Sequence, residues 1–181
     1  MRASKSLLTL SLALLMAAAL PAWAQRGNDE ARPSPNAEVS QTIGTTEVTV
    51  SYGRPGVKDR AVWGGLVPNG QVWRTGANEA TTISFSSDVA VEGQPLAAGT
   101  YGLFTTPGAG EWTVIFNKTA NQWGAFRYDA GQDALRVTVK PRSAAHREWM
   151  SFGFADLSAG SATLVLRWEK LAVPIKIALA E

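Results

Sequence analysis

The sequence predicts an all-β protein built as an antiparallel β-sandwich, of which a jelly roll is one form. Its short segments alternate apolar and polar residues with a period of two, which is typical of strands that bury one face. Turn-forming residues separate these segments, and no long helical pattern lies between them. Strands joined without crossover helices pair antiparallel, so two packed sheets are expected, with a closed sheet as the alternative.

The first clear strand signal is Val48, Val50 and Tyr52, which alternate with Thr49 and Ser51. The same alternation recurs at 83–85, 89–91, 135–139, 150–154, 164–168 and 173–179, and a denser apolar run covers 112–116. A denser run is consistent with a central strand that is buried on both faces. Eight or nine short strands are therefore expected.

Turn chemistry falls between these runs. Gly and Pro occur together at 92–95 and 107–110, and 158–160 reads Ser-Ala-Gly. These residues tolerate sharp chain reversals. Pro174 lies inside the last apolar run and cannot donate a ladder hydrogen bond, so that strand is predicted to be an edge strand or to carry a bulge there.

Residues 1–24 are predicted to be a signal peptide. Arg2 and Lys5 form a basic start, 7–20 is an almost unbroken apolar run, and Ala22 and Ala24 are small residues at the positions that signal peptidase reads. The apolar run is shorter than the roughly 20 residues that a membrane-spanning helix needs. We therefore expect an exported protein, periplasmic or extracellular, with no transmembrane segment after cleavage.

The mature chain is expected to contain a flexible polar linker at 25–37 and one domain at 38–181. Removal of two basic residues lowers Lys+Arg from 17 to 15, which equals the 15 Asp+Glu. A neutral protein is a poor candidate for nucleic acids or anionic membranes. The chain has no cysteine, which excludes disulfides and thiolate metal sites.

Residues 53–81 do not follow the alternating pattern. They contain Arg54, Lys58, Arg60 and Arg74 among five glycines that follow Gly53. Arginine offers a planar fork that pairs with carboxylate, sulfate or phosphate, and glycine lets backbone approach a partner closely. This stretch is predicted to carry a ligand site as one long loop, or as a loop with a short helix near 61–66. The candidate binding residues are Tyr52, Arg54, Arg60, Trp73, Arg74, Asn78 and Glu79.

Each candidate also has a structural interpretation. Core packing is favoured for Trp73, because buried aromatic residues dominate small cores. Arg74 and Glu79 could form an ion pair that fixes the loop, and this alternative carries equal weight. Asn78 could be a turn residue.

Several segments resemble the DUF2911 family of bacterial proteins, whose name denotes a domain of unknown function. The resemblance lies in Tyr-Gly-Arg-Pro at 52–55, Leu-Val-Pro at 66–68, Trp-Arg-Thr-Gly-Ala-Asn-Glu-Ala-Thr at 73–81, Ala-Gly-Thr-Tyr at 98–101 and Trp-Thr-Val-Ile-Phe-Asn at 112–117. The resemblance implies a secreted, β-rich domain, and it provides no activity, cofactor or catalytic residue.

The sequence does not establish a biochemical function, and three classes stay open. The leading hypothesis is a binding or interaction module for a small anionic or carbohydrate ligand. The alternatives are an envelope hydrolase that acts on glycans with Glu79 as acid or base, and a structural partner in an envelope assembly. No second carboxylate lies close to Glu79 in sequence, so the enzyme signal is weak.

No metal or cofactor is implied by the sequence. His146 is the only histidine, and the motifs of nucleotide-binding glycine loops are missing.

Overall fold

The computed structural model describes residues 31–180, and the predicted signal peptide at 1–24 lies outside them, as do residues 25–30 of the predicted linker. Ten strands follow one another within the described residues. They are β1 (Asn36–Ile43), β2 (Thr46–Gly53), β3 (Ala77–Phe85), β4 (Val89–Val91), β5 (Gln94–Leu96), β6 (Gly99–Thr106), β7 (Trp112–Asn117), β8 (Asp133–Val139), β9 (Arg142–Ala155) and β10 (Ser161–Leu179).

The strands form two antiparallel sheets that pack face to face. The larger sheet has the order β1-β2-β3-β6-β7-β8, and the smaller has the order β5-β4-β10-β9. The predicted β-sandwich is thus confirmed. The strands of the larger sheet are neighbours in chain order, with the β4–β5 hairpin inserted into the smaller sheet, so the connections are those of a meander rather than of two Greek keys.

The main core lies between the sheets and follows the predicted alternation. Val48, Val50 and Ile83 are fully buried on the larger sheet, and Leu164 and Ile177 are at most 1% exposed on the smaller one. Apolar burial of this kind is the main favourable term in folding. No disulfide adds to it, because the chain has no cysteine.

A second apolar cluster lies on the outer face of the larger sheet. Ala80, Phe104 and Ile115 are buried there, and Val72, Ala125 and Tyr128 pack against them. The connection between β7 and β8 therefore covers this face. Because both faces of β6 and β7 are buried, these two strands are the centre of the molecule.

Three strands have no counterpart among the predicted runs. β1 is an edge strand in which only Ile43 is buried, and β5 has three residues, one of them Pro95. β6 is buried on both faces, so the adjacent residues Leu103 and Phe104 are both apolar and buried, and the sequence shows no alternation there.

The prediction for Pro174 is wrong in both forms. β10 is an inner strand of the smaller sheet, and its register irregularity lies between Arg167 and Leu171. Pro174 falls between Ala172, where pairing with β9 ends, and Ile177, where pairing with β4 begins. The missing N–H is therefore at a position where neither ladder requires it.

The stretch that breaks the pattern connects β2 to β3 and supplies the first residues of β3. Residues 61–66 form turns instead of the short helix considered above. Their backbone closes on itself through Leu66 N to Ala61 O at 2.9 Å and Val67 N to Val62 O at 2.8 Å. Within residues 31–180, no helix has the length and apolarity that crossing a bilayer requires.

Candidate functional site

A cavity of about 280 Å³ lies beside the connection between β2 and β3, against β10. We call it the arginine pocket. Arg60, Trp73, Arg74 and Asn78 line it, so four of the seven predicted site residues meet there. The other lining residues are Ser34, Pro55, Leu66, Val67, Gly76, Ala77 and Trp168. Among the residues that the structure describes, two arginines and no carboxylate line the cavity, which makes it attractive to anions.

Arg74 is the least satisfied polar residue of the pocket. Its side chain is partly buried, and its Nε is buried with no hydrogen-bond partner in the part of the chain that the structure describes. Burial lowers the pKa of the Arg74 guanidinium, because desolvation disfavours the charged form. Arginine nevertheless stays protonated at physiological pH. Arg74 therefore places an under-coordinated positive charge at the cavity wall.

Arg60 is held in place by the backbone beside it. Its Nη2 donates to the carbonyl of Gly56 at 2.7 Å, and its Nε donates to the carbonyl of Val57 at 3.1 Å. These two bonds fix the guanidinium plane and occupy one edge of it. The remaining Nη1 is not used by either carbonyl, so Arg60 can assist Arg74 in binding a negative charge.

The backbone around Arg74 is strained. Thr75 has φ 53° and Asn78 has φ 63°, in the left-handed region that non-glycine residues rarely adopt. Thr75 is held there because its Oγ1 bonds to Trp73 O at 3.2 Å and to Thr105 Oγ1 at 3.1 Å, while its carbonyl accepts from Thr81 Oγ1 at 2.8 Å. Strain that is held by several contacts is a common property of functional sites.

Gly76 is required by close packing in the same loop. A Cβ built on Gly76 would lie 2.8 Å from Thr81 Oγ1 and 3.1 Å from the carbonyl of Gly53. No larger residue fits there without moving backbone or the Thr81 side chain. The glycine that follows Arg74 and Thr75 thus lets this loop pack directly on the start of β3.

Four tryptophans form the apolar wall behind the pocket. Trp73 stacks on Trp168 with ring centroids 5.9 Å apart, and Trp63 meets Trp73, Trp112 and Trp168 edge to face at 5.0–5.9 Å. Trp73 is 8% exposed, and its Nε1 donates to Gly76 O at 3.1 Å. The core role that the sequence favoured for Trp73 is confirmed, and the same residue also supports the pocket.

Three predicted site residues do not line the pocket. Tyr52 is 3% exposed, and its hydroxyl accepts a bond from Phe152 N at 3.1 Å. Arg54 donates through Nε to Met150 O at 2.9 Å. Both are connections between the larger sheet and β9.

Glu79 is engaged by a residue near the start of the described chain. Arg32 Nη1 lies 2.9 Å from both carboxylate oxygens of Glu79. Within residues 31–180, the alternative ion pair between Arg74 and Glu79 is not formed. Glu79 therefore does not neutralise Arg74.

The structure adds Ser34 and Trp168 to the site. Ser34 belongs to the predicted linker, and Trp168 belongs to a strand that follows Arg74 by more than ninety residues. The alternation of Leu164, Leu166 and Trp168 indicated a buried strand, but no sequence signal placed that strand behind the pocket. Long-range packing of this kind cannot be read from local periodicity.

The other cavities and polar groups of the described residues are weaker candidates for a ligand site. Cavities of about 400 and 350 Å³ on the smaller sheet share Asp156, Thr163 and Lys176, but the charged residues there have both signs and most are exposed. His146 is exposed, with Nε2 3.7 Å from Glu148. No group of three potential metal ligands occurs within the described residues.

A protein-family model matches most of the chain. The family model described as Protein of unknown function (DUF2911) matches residues 34–177, which is most of the chain. The chain belongs to the DUF2911 family. No curated protein and no solved structure matches it. The DUF2911 match begins at Ser34, so it covers every residue that lines the arginine pocket.

Proposed function

We propose that this protein is an exported binding protein that holds a small anionic ligand in the arginine pocket. The observation that carries the proposal is that two arginines, Arg60 and Arg74, line one cavity and that no carboxylate of the described residues lines it. Positive charges that no neighbouring carboxylate offsets attract an anion. The strained and heavily bonded loop 73–78 supports the same proposal, because it fixes Arg74 in advance of binding.

The chemistry of the wall limits the ligand. A guanidinium group binds a carboxylate, phosphate or sulfate, often through two parallel hydrogen bonds. The cavity is slightly below the range of about 300–1,000 Å³ that is typical of drug-sized ligands, so the ligand should be small. The Asn78 amide can accept a hydrogen bond from a ligand hydroxyl group or donate one to it, and Trp73 and Trp168 offer apolar contact. A sugar acid or a short carboxylic acid suits this combination.

Export is part of the proposal and rests on the N-terminal sequence. The basic start, short apolar run and Ala22-Trp23-Ala24 are typical of a cleaved signal peptide.

Glycan hydrolysis is less well supported by the contacts. Glu79 is paired with Arg32 and does not line the pocket, and no other carboxylate between residues 31 and 180 lines it. Hydrolysis of glycosides ordinarily requires two carboxyl groups across the scissile bond. The arrangement therefore favours binding over this chemistry.

The test is a calorimetric and thermal-shift comparison of the mature chain with phosphate, sulfate, acetate and a hexuronic acid. The neutral hexose of the same configuration is the matched ligand control. We expect the anions to raise the melting temperature by mass action. Arg74→Ala should remove the shift without changing the circular dichroism spectrum, whereas Arg127→Ala, at an exposed arginine elsewhere, should keep it. Equal shifts in the Arg74→Ala and natural proteins would contradict the proposal.

A further inference from the structure

The segment Arg32–Pro35, which we call the strap, lies against the arginine pocket immediately before β1. Arg54 N donates to Pro35 O at 2.8 Å, and Asn78 Nδ2 donates to Ser34 O at 3.0 Å. Arg32 closes the other end on Glu79. Ser34 itself lines the cavity, so this part of the predicted linker forms a wall of the site.

The strap is attached by few contacts compared with the strand that follows it. The ladder between β1 and β2 begins at Asn36 and Gly53 and continues over eight residue pairs. Before that point, Pro33 and Pro35 have no N–H to donate, and the polar attachments described above use the carbonyls of Ser34 and Pro35 and the side chain of Arg32. The Arg32 and Glu79 side chains are 25% and 20% exposed, so water reaches their ion pair. A segment held in this way opens more easily than the sheets.

We propose that the strap is a movable wall of the arginine pocket and that Ser34 is a ligand-contacting residue. This inference rests on the proposed function and extends it. Asn78 connects the strap to the pocket, because it lines the cavity and its Nδ2 donates to the Ser34 carbonyl. In the closed state the Ser34 side chain adds a hydroxyl to two guanidinium groups. Release of the Arg32–Glu79 pair opens that wall, and the ligand can enter and leave there.

The cysteine-free chain allows a direct test by thiol labelling. Ser34→Cys places a single thiol on the strap, and Ser87→Cys places one at an exposed serine as the control. A neutral alkylating reagent avoids attraction to the arginines. We expect the thiol at position 34 to react several-fold more slowly than that at 87. Adding Arg32→Ala should accelerate labelling at 34 by about fivefold, the population shift that follows from loss of one partly buried ion pair. Adding Arg127→Ala should not.

The outcomes separate the wall from the ligand. If both thiols react equally, or if Arg32→Ala has no effect, the strap is not a closed wall, whatever binds in the pocket. Phosphate is then added at a concentration at which calorimetry detects its binding to the Ser34→Cys variant. If the labelling rates are as expected and phosphate slows labelling at 34, the strap is a movable wall and Ser34 contacts the ligand. Bound phosphate without protection overturns the contact role of Ser34. If the natural protein does not bind phosphate, that result counts against the proposed function and against the contact role of Ser34. The labelling rates alone decide whether the strap is a movable wall.

Discussion

Arg74 is the residue at which stability and the proposed function oppose each other. Its buried Nε has lost water without gaining a protein partner, and burial lowers the pKa of the guanidinium. Such a group costs about 1–3 kcal/mol unless something binds it. Residues that weaken a fold are often found at functional sites, where stability is traded for function.

Replacement of Arg74 by methionine should therefore separate the two properties. Methionine keeps much of the length and the apolar stem and removes the unpaired charge. We expect Arg74→Met to raise the free energy of unfolding by about 1 kcal/mol in urea denaturation and to abolish the thermal shift with anions. Arg60→Met is the comparison, because Arg60 bonds to Gly56 O and Val57 O and its loss should destabilise. A destabilised Arg74→Met protein would mean that the guanidinium is structural.

At the scale of elements, the junction of β2 with β3 positions the site. After Ser51 the register shifts, so Gly53 pairs with Ala77. A Cβ at Gly53 would lie 2.3 Å from the Ala77 carbonyl, whereas a Cβ at Gly153 in β9 would have no heavy atom within 4 Å. The first glycine is needed for close approach of two strands, and the second is not.

These two glycines give a matched pair of alanine substitutions. Gly53→Ala should lower the free energy of unfolding by about 2 kcal/mol or more, because backbone must move away from the new methyl group. Gly153→Ala should be neutral or stabilise by about 0.5 kcal/mol, since alanine reduces the entropy of the unfolded chain. Urea denaturation of both variants measures the difference. Anion affinity should also fall in Gly53→Ala, because Ala77 and Asn78 line the pocket; equal stability of the two variants would contradict this account of the junction.

What the sequence predicts well at this scale is local. The alternation of Val48, Val50 and Tyr52 places each side chain on the core face, and every turn predicted from Gly and Pro joins two strands. β6 escapes prediction because Leu103 and Phe104 are both buried on opposite faces. Pro174 is misjudged because its effect depends on which partner strand lies opposite. Both failures are failures to foresee pairing, which is a tertiary property.

At the scale of the whole molecule, the same distinction applies to the site. Arg60, Arg74 and Asn78 belong to one segment, and their clustering with glycine and tryptophan indicated a site before any contact was known. Ser34 and Trp168 come from the two ends of the domain, and only the packed sandwich brings them to that segment. Residue type thus indicates the chemistry, while the closure of two sheets determines which distant residues complete the pocket.

Export is the remaining prediction for the whole molecule, and it can be tested by following the processing of the N-terminus. Because small residues are required at the first and third positions before the cut, cleavage is expected after Ala24. Expression in a bacterium should yield a periplasmic product that begins at Gln25, identified by intact mass and N-terminal sequencing. Ala24→Arg should block the cut and retain the full-length chain at the membrane, because a charged side chain does not fit the peptidase subsite. Ala18→Leu keeps the apolar run and should be processed normally. A full-length natural protein in the cytoplasm would contradict export, and the proposed ligand would then have to be sought among cytoplasmic anions.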